Sequence, residues 1–206
     1  MREWWAGQFQ HLIDAELSLP LITQIAREGG LQLRGGVIEL LRCMHRNDVP
    51  VFIVSASFTP LVEAILEAQG LQTPNIRILA NEFHFDTHQR ATGFKEPILH
   101  SLNKQEVFHN WLTSEGNCTE EVLRPHALVL GDSVEDLGIT DGLNLQTLCI
   151  GWMHSDEREA EFKQTADALV LGDAGMNGIP PLSPEFWEPR TVSQPIGPAS
   201  RDSTSP

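Results

Sequence analysis

Hydrophobic side chains along this chain follow two spacings, one typical of helices and one typical of buried strands. Val37, Leu40, Leu41 and Met44 recur three and four positions apart, which places them on one face of a helix. The apolar run at 49–54 predicts a strand that is buried on both faces. Such signals alternate, and this alternation indicates an α/β fold with a mostly parallel sheet. Helices are predicted as two segments within 1–30 and at 37–44, 60–69, 105–112 and 157–163, and strands at 49–54, 76–85, 127–130, 145–152 and 166–171.

Length and composition indicate one globular domain with extensions. The chain has 206 residues, of which 41% are hydrophobic and 20% are charged, as in a folded globular protein. We expect a helical segment at 1–32, an α/β core at 33–172 and a disordered tail at 173–206. The tail is predicted because seven of the thirteen prolines lie from Pro180 onward, among Ser, Gly and Thr.

The charge balance narrows the kinds of partner. Fourteen basic and twenty-eight acidic residues give a net charge of −14, which argues against nucleic acid polymers and anionic membranes as partners. Cys43, Cys118 and Cys149 lack metal-ligand spacing, so we interpret them as reduced thiols. No stretch has the apolar length of a signal peptide or a membrane span. We therefore expect a cytoplasmic protein, and we expect it to be a monomer.

The segment after the strand predicted at 127–130 carries two carboxylates. Gly131 follows this strand, and Asp132 and Asp136 then stand four residues apart. A strand, a glycine turn and a helix start would place both acids toward one point, beside backbone N–H groups. Such a point suits Mg²⁺ and a phosphate. Ser55 follows another predicted strand, and ligands of parallel sheets bind at these carboxyl ends.

Ser55, Lys104 and the segment 131–137, in this order, resemble the three motifs of haloacid-dehalogenase-like phosphohydrolases. Within that superfamily, the chain is similar to the cytosolic pyrimidine 5′-nucleotidase (5′-nucleotidase III) family. The more specific likeness lies in Glu-Trp-Trp at 3–5, Gly-Phe-Lys at 93–95, the block 98–104 with its His and Asn-Lys, and Thr-Asp-Gly at 140–142. The resemblance extends from residue 1 to about residue 171.

The resemblance implies a role for each motif residue. Ser55 and the backbone of Ala56 would hold the phosphoryl oxygens, and Lys104 would neutralise the phosphate and the nucleophile. Asp132 would be the Mg²⁺ ligand, and Asp136 would support the metal site. The implied reaction is the Mg²⁺-dependent hydrolysis of a nucleoside 5′-monophosphate through an aspartyl-phosphate. Pyrimidine and 7-methylguanosine monophosphates are the implied substrates.

The resemblance also implies an architecture. We expect a Rossmannoid three-layer core with a parallel sheet, and we interpret 1–32 as part of a helical cap. Trp4 and Trp5 could line a nucleobase pocket or belong to the cap's core. Gln8 matches the position of a substrate-contacting serine in some members, so the preferred base stays open.

One family motif is absent from the sequence. No Asp-X-Asp occurs anywhere in the chain, whereas in the family its first Asp is the nucleophile and its second the general acid and base. By resemblance, its strand lies at the centre of the sheet, between the strands that end at Ser55 and Asp132. We therefore expect an N-terminally truncated chain that is inactive as given. Its two flanking strands would be unpaired and the domain unstable unless they close on each other.

The sequence offers two alternative functions. Gly131, Asp132 and Ser133 spell the Gly-Asp-Ser of one class of serine esterases, but no Asp-X-X-His pair follows to activate Ser133. The second alternative is a pseudoenzyme that keeps Ser55, Lys104 and Asp132 and binds a nucleotide without hydrolysing it.

Overall fold

Seven helices and seven strands are present in the computed structural model, which describes residues 1–28, 30–114 and 125–176. The helices are α1 (Arg2–Asp14), α2 (Leu19–Glu28), α3 (Val37–Arg46), α4 (Thr59–Ala68), α5 (Lys104–Thr113), α6 (Val134–Leu137) and α7 (Glu159–Thr165), with a short 3-10 helix at Asp156–Arg158. The strands are β1 (Val51–Phe58), β2 (Ile76–Asn81), β3 (Phe83–Phe85), β4 (Ala91–Phe94), β5 (His126–Gly131), β6 (Gln146–Met153) and β7 (Ala168–Leu171).

The strands form three sheets. β1 pairs with β2 in parallel, and β5, β6 and β7 form a second parallel sheet in that order. β3 and β4 form an antiparallel hairpin. Strands and helices alternate through both parallel sheets, so the predicted α/β fold with parallel strands is confirmed.

β1 and β5 each present one edge that their sheet leaves unpaired among the described residues. The N–H of Val51 donates to Asn75 O at 2.9 Å, so the intervening peptide groups, at Phe52 and Val54, point away from β2. In the same way, Gln146 N donates to Pro125 O at 2.8 Å, and Leu128 therefore presents its N–H and C=O away from β6. The two strands do not pair with each other. The sequence predicted these two edges, and they have not closed.

A cleft of about 280 Å³ separates these two edges, and we call it the β1–β5 cleft. Its walls are mostly apolar because both strands and α3 contribute Val, Leu, Met and Phe side chains. α3 covers one face, and Phe108 of α5 and Ile139 lie on the other. Helices on both sides of parallel strands give the three layers that the sequence predicted.

The N-terminal helices pack on the hairpin and on α4. Phe9 of α1 and Ile22 of α2 are buried in one cluster with Phe83 of β3. Trp5 packs on Phe9 with its ring centroid 5.8 Å away, whereas Trp4 remains 58% exposed. One of the two tryptophans therefore contributes to a core, as one of the open interpretations expected.

The last described residues lie on the core. Met176 is buried beside Ile150 and Trp152, and its N–H donates to Gly35 O at 2.7 Å. Residues 173–176 are therefore part of the folded domain, although the sequence assigned them to the tail. The rest of the predicted tail, 177–206, lies outside the described residues, as does Cys118.

Some element boundaries differ from the prediction. β1 continues through Ser55 to Phe58, and Phe58 stands at the N-cap of α4, so that Thr59 is already helical. The extension is possible because the β1–β2 register shifts between Ser55 and Phe58. In the described part of the chain, no helix is long and apolar enough to cross a membrane.

Candidate functional site

Lys104 and Asp136 form an ion pair at the carboxyl end of β5. Lys104 Nζ donates to Asp136 Oδ1 at 2.7 Å, and the two side chains are only 15% and 13% exposed. Lys104 is the first residue of α5, and Asp136 lies in α6. The sequence predicted both as site residues from separate motifs, and the structure brings them together. A partly buried pair of this kind holds both groups in one geometry.

The turn after β5 sets the position of Asp136. Ser133 is the N-cap of α6, and its Oγ accepts a hydrogen bond from Asp136 N at 3.2 Å. Gly131 is packed so closely that a Cβ atom built on it would stand 2.5 Å from Asp136 Cβ. A glycine is therefore required at 131 for this turn. Ser133 therefore acts as a helix cap, and this contact accounts for its hydroxyl without an esterase function.

An ion pair on the far side of α6 holds the helix to α7. Arg158 donates to both carboxylate oxygens of Glu135, at 2.9 and 3.0 Å. The Arg158 guanidinium, chiefly by these hydrogen bonds, lowers the pKa of Glu135 below its usual value of 4.5. The same guanidinium contacts Glu161 and lowers its pKa. Leu137 adds an apolar anchor because it is almost fully buried.

Two further contacts hold α5 against the loop after α6. Gln105 donates from Nε2 to Asp141 O at 3.0 Å, and His109 Nε2 lies 3.1 Å from Ile139 O. Together with the Lys104 contact, these bonds are spaced along one face of α5. These three contacts hold α5 against the segment that follows β5, around the ion pair.

Ser55 lies where β1 loses its regular pairing. The register with β2 is regular up to Ser55 and Ala80 and resumes at Phe58 and Asn81. Ser55 Oγ accepts a hydrogen bond from Ser57 N at 3.1 Å, so its hydroxyl lies within the bulge. Ser55 and the backbone of Ala56 thus lie at the point where the regular pairing of β1 with β2 ends.

Asn81 holds this bulge in place. Its Nδ2 lies within hydrogen-bond distance of the carbonyl oxygens of Ala56, Ser57 and Leu99, at 2.8, 3.0 and 2.9 Å. Its Oδ1 accepts from Leu99 N at 2.8 Å. Asn81 is 4% exposed, so these bonds form away from water. Asn81 was not predicted as a functional residue, although an Asn at the end of an apolar strand indicates a buried polar contact.

Asn81 also connects the ends of the two sheets. It ties the end of β1 to Leu99, and the segment 98–104 then leads to Lys104. In this segment Asn103 donates to Ile98 O at 3.0 Å and accepts from His100 N at 2.7 Å. Because Lys104 contacts Asp136, the carboxyl ends of β1 and β5 lie on one side of the molecule. The predicted site residues Ser55, Ala56, Lys104 and Asp136 share this side.

Asp132 is exposed in the turn directly after β5. Within the described ranges, no group of three or more His, Cys, Asp and Glu side chains lies close enough to hold a metal ion. Mg²⁺ does not need such a group, because it commonly binds through one or two carboxylates, waters and phosphate oxygens. The single exposed carboxylate of Asp132 fits that mode, whereas Asp136 is engaged with Lys104.

Gln8 lies on an exposed face of α1. The structure shows α1 packed on the hairpin and shows no hydrogen bond between Gln8 and the ion pair. The assignment of Gln8 as a substrate contact therefore stays a prediction.

Comparison with known proteins decides the family. The family model described as pyrimidine 5′-nucleotidase (UMPH-1) matches residues 1–182. The chain belongs to this family. The match includes every predicted site residue of the UMPH-1 chain, from Gln8 to Asp136, and it confirms the recognition made from the motifs.

Curated relatives of the UMPH-1 chain carry 7-methylguanosine phosphate-specific 5′-nucleotidase names. The Gallus gallus protein is 29% identical over 186 residues, which cover 87% of this chain and 63% of that protein. The Homo sapiens protein is 27% identical over 183 residues, which cover 87% of this chain and 60% of that protein. The UMPH-1 chain thus spans about three fifths of the length of these relatives.

Solved structures show the same fold. A cytosolic 5′-nucleotidase IIIB, bound to cytidine, matches with a TM-score of 0.66 and 24% identity, over 78% of this chain and 54% of that chain. A phosphoserine phosphohydrolase-like protein from Francisella tularensis matches with a TM-score of 0.52 and 14% identity, over 74% and 66%. These matches confirm the predicted α/β core with parallel strands.

Proposed function

We propose that this UMPH-1 chain carries the phosphate- and metal-binding part of a cytosolic 5′-nucleotidase site that acts on nucleoside 5′-monophosphates. The observation that carries the proposal is the Lys104–Asp136 pair, held at 2.7 Å beside the carboxyl end of β5. The names of relatives support the substrate class and the location, since they include a 7-methylguanosine phosphate-specific 5′-nucleotidase and a putative cytosolic 5′-nucleotidase of Caenorhabditis elegans.

A phosphate monoester needs positive charge and hydrogen-bond donors around its oxygens before a nucleophile can approach it. Lys104 supplies the charge, and its fixed contact with Asp136 keeps the ammonium group from swinging into solvent. The Ser55 hydroxyl and the Ala56 N–H, at the end of β1, are the proposed hydrogen-bond donors to the phosphate on the side away from Lys104. Asn81 makes the bulge that carries them rigid.

Asp132 is the proposed Mg²⁺ ligand. A Mg²⁺ ion there would draw electron density from a phosphoryl oxygen when bound. The carboxylate of Asp136 contributes by holding Lys104, and its own position depends on Gly131 and Ser133. The likeness to phosphohydrolase folds supports the metal class without showing a metal in this chain.

The 206-residue chain is proposed to bind its nucleotide without hydrolysing it. Hydrolysis breaks the bond between phosphorus and the 5′ oxygen of the nucleoside, and in the covalent route a carboxylate attacks first. The sequence contains no Asp-X-Asp to supply that carboxylate. We therefore propose nucleotide binding for this chain, and nucleotidase activity for a protein that also carries the nucleophile.

The experiment measures phosphate release and nucleotide binding on the same preparation. CMP and 7-methylguanosine monophosphate are incubated with the chain and Mg²⁺, inorganic phosphate is quantified, and binding is followed by calorimetry. We expect nucleotide binding that requires Mg²⁺, and no phosphate release. In Asp132→Asn, Mg²⁺ should no longer increase the affinity for the nucleotide. Asp173→Asn, an exposed carboxylate of the last described segment, is the matched control. Phosphate release by this chain would contradict the proposal that it lacks the nucleophile. Absence of nucleotide binding would contradict the proposed binding site.

A further inference from the structure

The helix α6 is too short to fix its own orientation. It has four residues, and a helix of that length has few internal hydrogen bonds to offset the lost backbone freedom. Its position therefore depends on contacts with neighbouring elements. Glu135 and Asp136 are adjacent in α6, so their side chains diverge by about 100° around the helix axis. Glu135 contacts Arg158 at the start of α7, and Asp136 contacts Lys104 at the start of α5.

Arg158 is held in place by the packing of α7 on the sheet. It is the N-cap residue of α7, and Phe162, one turn further along, is buried in the cluster that contains Leu137 of α6. Gly151 of β6 lies against the Phe162 ring, since a Cβ atom there would stand 2.9 Å from Phe162 Cδ1. Glu161 of α7 accepts hydrogen bonds from the Arg158 guanidinium at 2.6 and 3.1 Å. The guanidinium is therefore attached to a helix that packs closely on β6.

The contact between Arg158 and Glu135 has a geometry that fixes an orientation. Two nitrogen atoms of the guanidinium donate to the two carboxylate oxygens, at 3.0 and 2.9 Å. Such a bidentate pair restricts rotation of the carboxylate, which a single hydrogen bond would allow. The two side chains are 41% and 33% exposed, so we expect their contribution to stability to be modest. The main effect of this pair is therefore on the orientation of α6.

We propose that Arg158 is a positioning residue, which acts through Glu135 to orient α6 so that Asp136 meets Lys104. The inference rests on the proposed function, in which Lys104 supplies the charge that faces the phosphate. Without Arg158, α6 can turn about its buried anchor Leu137, and the Asp136 carboxylate then moves away from the Lys104 ammonium. An ammonium group that is no longer held in one geometry binds a phosphate less tightly.

The first test measures the coupling energy between Lys104 and Asp136 in the full 206-residue chain, with no nucleotide present. A double-mutant cycle of Lys104→Met and Asp136→Asn is followed by urea unfolding, once in the parent chain and once in Arg158→Met. An arginine that only stabilises the fold would lower the stability of every member of the cycle equally, and the coupling energy would not change. We expect the coupling energy to fall by about half or more in Arg158→Met. An unchanged coupling energy would overturn the proposal.

Two matched variants identify the carboxylate through which Arg158 acts. Glu135→Gln and Glu161→Gln each remove the charge of one acceptor of the same guanidinium and keep the size of the side chain. We expect Glu135→Gln to reduce the coupling energy between Lys104 and Asp136, and Glu161→Gln to leave it unchanged. Arg158→Lys should restore part of the coupling, because an ammonium group keeps the charge but lacks the two-point geometry. Equal effects of the two Gln variants would overturn the proposal.

The second test measures nucleotide binding by calorimetry with CMP and with cytidine, in the presence of Mg²⁺. Arg158→Met should weaken CMP binding about fivefold and leave cytidine binding unchanged, because only CMP carries the phosphate. Glu161→Gln should alter neither affinity. Equal CMP affinity in the parent chain and Arg158→Met would also overturn the proposal. Failure of the parent chain to bind CMP would contradict the proposed function alone, and the coupling energy would still decide the role of Arg158.

Discussion

Gly131 and Asp136 lie so close that any side chain at 131 would collide with the ion-paired carboxylate residue, since a Cβ there would stand 2.5 Å from Asp136 Cβ. The β5–α6 turn thus couples a backbone requirement to the placement of a charged group.

Gly131→Ala should destabilise the chain by about 1–3 kcal/mol, because the turn must open to make room for the added methyl group. Urea unfolding, monitored by circular dichroism, measures the free energy of unfolding. Gly7→Ala is the matched control, because nothing lies within 4 Å of a Cβ at that position in α1. It should stabilise the chain by about 0.5–1 kcal/mol through helix propensity. Equal effects of the two substitutions would show that the Gly131 contact is unimportant.

Lys104→Met should lower the free energy of unfolding by about 1–3 kcal/mol, because it leaves the Asp136 carboxylate largely buried without its partner. The control is Lys163→Met, which removes an exposed i,i+4 partner of Glu159 and should cost less than about 0.5 kcal/mol. A double-mutant cycle with Asp136→Asn isolates the pair. A coupling energy near zero would contradict the pairing.

Asn81→Ala should cost about 3 kcal/mol, because it leaves the carbonyl oxygens of Ala56 and Leu99 and the N–H of Leu99 without their partner in a buried position. Gln24→Ala removes one exposed hydrogen bond to Glu28 and should be nearly neutral. Thermal unfolding of both variants, compared with the parent chain, gives the measurement. A loss at Asn81 no larger than that at Gln24 would mean that the bulge does not depend on this clamp.

The Glu135–Arg158 pair should make the stability depend on pH in the acid range. The pKa of Glu135 is lower in the folded chain than its usual 4.5. As the pH falls, the unfolded chain therefore protonates this carboxylate at a higher pH than the folded chain does. The stabilisation is therefore present above pH 4.5 and is lost as the pH falls through the folded value. Melting temperatures of the parent chain should fall more steeply from pH 5 to pH 3 than those of Glu135→Gln. Parallel curves would rule out this contribution.

Helical and strand periodicity was sufficient to predict most elements, including the alternation that leads to the parallel sheets. Residues 37–44 and 127–130 are predicted within a few residues of α3 and β5 because their apolar spacing is uninterrupted. The extension of β1 to Phe58 was missed because it depends on a register shift and on Asn81, which is far along the chain. Local spacing contains no information on such a partner.

The residues of the candidate site were predicted, but their contacts with one another were not. Motif order identified Lys104 and Asp136 as site residues, but their mutual contact depends on how α5 packs against the β5–α6 turn. Arg158 was missed because it lies outside the motifs and 23 residues away from its partner, Glu135. The open edges of β1 and β5 were predicted because the sequence lacks the Asp-X-Asp motif, whose strand lies between them in the family by resemblance.

We propose that Lys104 recognises the phosphate of a nucleoside monophosphate. Calorimetry with CMP and with cytidine, in the presence of Mg²⁺, tests it on the parent chain, Lys104→Met and Lys163→Met. We predict that Lys104→Met weakens CMP binding about tenfold or more and leaves cytidine binding unchanged, while Lys163→Met alters neither. Equal CMP affinity in the parent chain and Lys104→Met would contradict the claim.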